Sequence, residues 1–120
     1  MSHIESTKFG EVIVDGTKYH QVLVIGDTVK ERDTEKLKEL YDTTHIIGDW
    51  EIQELLKENP QIVIVGTGQN GAMEVDENFS NEMNKKGIEV IIAKTPEAIE
   101  TYNEKAKGKK RINALIHTTC

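Results

Sequence analysis

The chain of 120 residues holds a single cysteine, Cys120, no excess of basic residues and no apolar run long enough to span a bilayer. One thiol cannot build an internal disulfide framework, and such sparing use of cysteine suits a reducing cytosol. With 15 basic against 21 acidic side chains the net charge is -6. That balance argues against a nucleic-acid binder that relies on overall charge. The start, Met1-Ser2-His3-Ile4-Glu5, is neither a basic-then-apolar secretory signal nor a basic amphipathic transit segment. Neither export nor membrane insertion is expected, and a cytoplasmic location is. No C-x-x-C or H-x-x-x-H spacing occurs, so no metal site is expected. No Gly-Lys-Ser/Thr follows a glycine turn, so there is no P-loop. Repeats, low-complexity tracts and linkers are also missing, and residues 1–120 read as one domain.

Branched aliphatics dominate what is there: 14 Ile and 9 Val against 6 Leu. Side chains branched at Cβ are stiff and favour pleated surfaces. Residues 9–14 and 18–25 read as the arms of a hairpin, because Asp15-Gly16 between them tolerates the positive φ of a tight turn. Residues 27–42 carry ten charges. They read either as a short helix with Leu37, Leu40 and Tyr41 inward or as a solvated excursion. Asp49 is placed to cap a helix over 50–58 with Ile52, Leu55 and Leu56 inward, which Asn59-Pro60 ends. Residues 62–65 and 88–93 and 111–117 read as strands. A helix carrying Val75, Phe79 and Met83 follows the first of them and stops at Gly87. Another, capped by Thr95 with Pro96 in its first turn, follows the second and stops at Gly108. The expected fold is a three-layer α/β single domain with a mixed β-sheet: an N-terminal β-hairpin, then α-β-α-β-α-β. The hairpin should extend the same sheet, and the last three strands should be parallel.

Gly66-Thr67-Gly68-Gln69-Asn70-Gly71 matches G-x-G-x-x-G between a strand and a helix. The residues after this loop argue against a dinucleotide site. Glu74 and Asp76 would repel a pyrophosphate, and the next strand ends Ala93-Lys94 instead of in the acid that holds ribose hydroxyls. No cofactor is expected. Two simpler readings remain: backbone amides in a glycine turn that hold a small anion, or glycines that merely let the chain turn sharply off a buried strand. If the three strands are parallel, their C-terminal ends share a rim where such sheets place ligands. That rim would gather Gly66, Thr67, Gly68, Gly71, Thr95 and His117, with His45 and Arg111 brought to the same cavity. His117 and Cys120 do not make a credible base and nucleophile, and no catalytic residue is assigned. The cluster Lys105, Lys107, Lys109, Lys110 and Arg111 either grips an acidic partner or an anion or, the stronger reading, simply suits a helix C-terminus. Trp50 is either packing at a helix entrance or an anchor for a protein contact.

These residues carry a family pattern. Phe9-Gly10 with its hairpin, Thr44-His45, PQIVIVGTG over 60–68, Gly71, Lys94-Thr95 with Ala98, Thr101-Tyr102-Asn103 and RINALIH over 111–117 resemble a small family of unknown function. It includes the adipogenesis-associated MTH-type domain protein and a mitochondrial complex I assembly factor. The resemblance implies a compact three-layer α/β domain, of prokaryotic type. It supplies no catalytic residue. It suggests a non-catalytic interaction or assembly role with an unknown protein partner. A small-molecule or anion-binding domain using the glycine loop and strand-end rim is the alternative.

Overall fold

The computed structural model describes residues 2–120. The chain opens with three short antiparallel strands, β1 (Ile4–Lys8), β2 (Glu11–Val14) and β3 (Thr17–Tyr19), which form a sheet of their own. The β2–β3 turn is the one its sequence calls for. Asp15 and Gly16 both take positive φ, 48° and 81°, matching the twist of the flanking strands. The arm expected over 18–25 does not continue as one strand. It breaks at His20-Gln21, and β4 (Val22–Ile25) enters a second sheet. The break is held by side chains: the His20 N–H donates to Glu31 Oε1, and Thr118 Oγ1 donates to the His20 carbonyl. The hairpin therefore does not extend the main sheet.

The main sheet has five strands in the order β5-β4-β8-β6-β7. β5 (Thr28–Glu31) pairs antiparallel with β4, and β4 antiparallel with β8 (Ile112–His117). β6 (Ile62–Thr67) pairs parallel with both β8 and β7 (Glu89–Ala93). The charged stretch 27–42 thus resolves into β5 and a helix, α1 (Thr34–Tyr41), with Leu37 buried and Leu40 exposed. Asp33 caps α1 by accepting from the Lys36 N–H.

Two outer layers cover the sheet, which is why its central strands read as unbroken apolar runs. On one face α2 (Asp49–Leu55) and α3 (Glu77–Lys85) bring Leu55, Phe79 and Met83 onto Leu23, Ile25, Val63, Val65 and Leu115. On the other, α4 (Thr95–Ala106) and the small sheet bring Ala98, Ile99, Tyr102, Ile4, Val12 and Val14 onto Val22, Val24, Ile62, Ile64, Ala114 and Ile116. The alternation along β4, β6 and β8 assigns each residue to one face.

Two caps and one helix start differ from expectation. Gly48, not Asp49, precedes α2, and its N–H is held by Glu51 Oε1. Lys94 precedes α4, so Thr95 is already helical and its hydroxyl is free for other work. Asp76 caps α3 through Asn78, leaving Val75 outside the helix. No helix among the described residues is long and apolar enough to cross a membrane.

Candidate functional site

The parallel strands end together. Thr67 of β6 lies opposite His117 of β8, and Gly66 opposite Ala93 of β7. Gly66 is small because Thr95 crosses it: a Cβ there would lie 2.9 Å from Thr95 Oγ1 and 3.3 Å from Thr95 Cα. The Thr95 hydroxyl accepts from the Gly68 N–H at 2.9 Å and donates to the His117 carbonyl. Several other polar groups in and after the loop are also engaged. Thr67 Oγ1 donates to the Ala93 carbonyl. The Gly71 N–H donates to the Gly68 carbonyl, the Ala72 N–H to the Cys120 carbonyl and the Met73 N–H to the Thr67 carbonyl. Gly68 has φ +108°, and the backbone of Thr119 and Cys120 lies directly across it. No helix starts at the loop, since α3 begins only at Glu77. An anion on the loop would find these three amides paired and no helix dipole behind them.

Beneath the rim lies a polar cluster built around Arg32, whose side chain, like that of Glu51, is 0% exposed. Arg32 Nε donates to Glu51 Oε2 at 2.7 Å and Nη2 to Glu51 Oε1 at 2.9 Å, a bidentate pair. Nη1 donates to Gln21 Oε1 and to the Thr44 carbonyl, both at 2.9 Å, and Nη2 also reaches the Ile46 carbonyl. One guanidinium thereby joins the β3–β4 break, the loop 43–48 and α2. His117, fully buried, places Nδ1 3.0 Å from Gln21 Oε1 and 3.3 Å from Arg32 Nη1. Gln21 Oε1 can only accept, so in the tautomer that bonds it Nδ1 carries the proton. Nε2 then accepts from Thr119 Oγ1 at 3.1 Å. The His45 ring meets the His117 ring edge-on, 4.9 Å between centroids.

Comparison with known proteins decides the family. Residues 4–117 match the family described as a protein of unknown function, DUF498/DUF598. The chain belongs to the DUF498/DUF598 family. It is similar over 98% of both chains to the conserved hypothetical protein PH1505 from Pyrococcus horikoshii OT3, with 31% identity and a TM-score of 0.83. MT938 is 31% identical, with full coverage of both chains and a TM-score of 0.81. The fold alone is shared with a Mth938-like domain protein of Bordetella pertussis, at 15% identity and a TM-score of 0.67, over 97% of this chain and 85% of that one.

Within this DUF498/DUF598 domain the structure brings together Gly66, Thr67, Gly68, Gly71, Thr95, His117 and His45. It does not bring Arg111 to them. Arg111 immediately precedes β8, while His117 ends it. At roughly 3.3 Å per residue the strand separates them by about 20 Å, and Arg111 belongs to the opposite edge of the sheet. The cluster also contains Gln21, Arg32 and Glu51, which sequence reasoning passed over. Arg32 was hidden in a charged run. Glu51 had a readable signal, being the third residue of a helix and so able to reach back to the preceding N–H. Trp50 is half-buried packing: it stacks on Tyr41 at 6.3 Å, with Lys36 Nζ 4.3 Å from its ring centroid. Among the described residues no group of three His, Cys, Asp or Glu stands close enough to hold a metal ion.

The buried histidine has a measurable consequence. Burial first, then the Arg32 charge and the histidines His45 and His20, push the His117 pKa down to about 4 from 6.5. In the unfolded chain the ring charges as pH falls through 6.5, while the native ring resists until about 4. The unfolded state binds more protons in that window, so stability falls with pH there and levels off below it. A shift of this size corresponds to about 3 kcal/mol. Urea unfolding of the wild type and of His117→Gln should therefore converge as pH drops from 7 to 4. Parallel curves would show that His117 does not titrate in this way.

Proposed function

We propose that this DUF498/DUF598 member is a non-catalytic protein-interaction domain whose docking surface is the groove between α2 and α3. The rim residues that looked site-like are largely paired with one another. Phe9, Leu40 and Ile92 are exposed elsewhere on the surface, but the groove is where apolar side chains gather around a concave space. Ile47, Ile52 and Leu56 are only half-buried there, over a floor of Phe79 and Met83. The cavity measures about 510 Å³. Asp49, Asp76 and Glu82 line it against one cation, Lys86. Asp49 and Asp76 stand at the N-terminal ends of α2 and α3, and Glu82 leans towards Lys85 at 3.6 Å on an exposed surface. An occupant must therefore bring an apolar ridge flanked by positive charge. A basic amphipathic helix of a partner protein fits that description, and the chain's net charge of -6 would steer it in.

Pull-down from native lysate tests this, with Ile52→Glu as the comparison. A protein held in stoichiometric amount by the wild type should fall by at least roughly tenfold with Ile52→Glu, as for a central interface contact. Asp49→Lys should weaken capture less, through charge alone. The reading is overturned if nothing co-purifies stoichiometrically, or if Ile52→Glu retains the same protein.

A further inference from the structure

Arg111, displaced from the rim where it was expected, lies at the opposite sheet edge beside a cleft lined by Leu56, Asn59, Pro60, Gln61, Lys86 and Arg111, with Gly87 and Ile88 closing it. Two cations and no carboxylate line this cleft, in a chain with 21 acidic residues. Neither cation has an ion-pair partner among the described residues, whereas Lys57 and Lys85, each next in sequence to a lining residue, do.

Arg111 is also held in place. Its N–H donates to Gln61 Oε1 at 3.1 Å, and its carbonyl accepts from the N–H groups of Gln61 and Ile62. Its Nε donates to the Asn59 carbonyl at 2.6 Å. That carbonyl is presented by two successive left-handed residues, Glu58 and Asn59, with φ of 63° and 51°. The guanidinium is thus fixed through Nε, leaving its two Nη groups, the pair that binds an oxyanion end-on, without an internal partner. Leu56, Pro60 and Ile88 supply apolar walls. The space is about 470 Å³, within the range of small-molecule sites.

We propose that this cleft binds a small organic anion, a carboxylate or phosphate monoester with an apolar body, its head group held by Arg111 and Lys86. The site adjoins the α2–α3 groove: Leu56 and Lys86 line both, while Asn59, Gln61 and Arg111 line this cleft and not the groove. Asn59 and Gln61 line the cleft beside Arg111, with Gln61 Oε1 turned to the Arg111 N–H, and the apolar body would lie on Leu56 and Ile88.

NMR titration of the full chain at fixed ionic strength tests this with three probes of one shape: benzoate, phenyl phosphate and neutral benzamide. Benzoate or phenyl phosphate should give saturable shifts at Gln61, Gly87, Ile88 and Arg111 Nε, and benzamide none. Whichever anion binds more tightly names the head group. Arg111→Gln should weaken binding about tenfold or more, the scale of charge-assisted hydrogen bonds. Lys86→Gln, which disturbs no internal contact, should weaken it severalfold and keeps the test valid if Arg111→Gln loosens the edge. The proposal is overturned by equal shifts from benzamide. It is equally overturned by an absence of saturation, or by anion shifts scattered over Lys85, Lys109 and Lys110 that survive both substitutions.

Discussion

Arg32→Ala is expected to lower the unfolding free energy by about 3–5 kcal/mol, the range for breaking a buried ion pair by removing one partner. For a chain of this size that is a fall of roughly 10–20 °C in Tm. The reason is what would be left behind. Glu51 is completely buried and would keep its carboxylate without its cation. Gln21 Oε1 and the Thr44 and Ile46 carbonyls would lose a donor at the same moment. Arg32→Lys should recover little. A single ammonium with three donors cannot serve acceptors that now surround a planar fork of five. The paired change Arg32→Met with Glu51→Leu should recover part of the loss, because it removes both buried charges together. The recovery stays partial because Glu51 also holds the Gly48 N–H at the start of α2. Urea unfolding of these variants gives the answer. A loss below about 1 kcal/mol for Arg32→Ala, typical of exposed pairs, would show that the cluster is solvated and not part of the core.

The same cluster shows where sequence reading stops. The Asp15-Gly16 turn was legible because both residues settle their own backbone locally. The strand of 62–65 was legible because a run covered on both faces is apolar at every step, and those of 88–93 and 111–117 through the shorter apolar runs Val90-Ile91-Ile92 and Ala114-Leu115-Ile116. Their parallel order followed from the length of the crossovers. Strand β1 was not legible, since Ser6 and Thr7 sit on a half-exposed sheet and only Ile4 is buried. β5 carries one half-buried apolar residue, Val29, and takes its register entirely from β4. Arg32 was least legible of all. Its burial requires Gln21, the loop at 44–46 and Glu51 to converge, and none of these is near it in a way that a charge run records. Grouping Arg111 with His117 failed for a geometric reason. The two residues open and close one extended strand, so a short sequence separation became the full depth of the sheet.

Gly68→Ala is expected to be the costliest single methyl in the glycine loop, at about 2–4 kcal/mol. Two effects act together. A φ of +108° lies outside what an L side chain adopts comfortably. The added Cβ would also run into the Thr119 carbonyl oxygen and stand 2.9 Å from the Cys120 carbonyl carbon and 3.1 Å from His117 Cδ2. The first obstacle is backbone, so relief requires residues 118–120 to lift. Lifting them releases the Gln69 Nε2 bond to the Thr118 carbonyl, the Gly10 N–H bond to the same oxygen and the Ala72 N–H bond to Cys120. It also withdraws Thr119 Oγ1 from His117 Nε2, and so opens the buried ring to water. Gly71→Ala makes the contrast. Its φ of +73° is strained too, but the nearest group is Lys94 Cγ at 3.2 Å, on a flexible side chain that can swing away. That variant should cost only about 1 kcal/mol, the left-handed strain alone. Stability alone could be matched by a generic strain effect, so the deciding measurement is the His117 titration by NMR. In Gly68→Ala its pKa should climb from about 4 towards that of a solvated ring, because the burial that depresses it is lost. In Gly71→Ala it should stay where it is. Equal costs with an unmoved His117 in both variants would mean that the glycines serve only the turn and that residues 118–120 do not seal the strand ends.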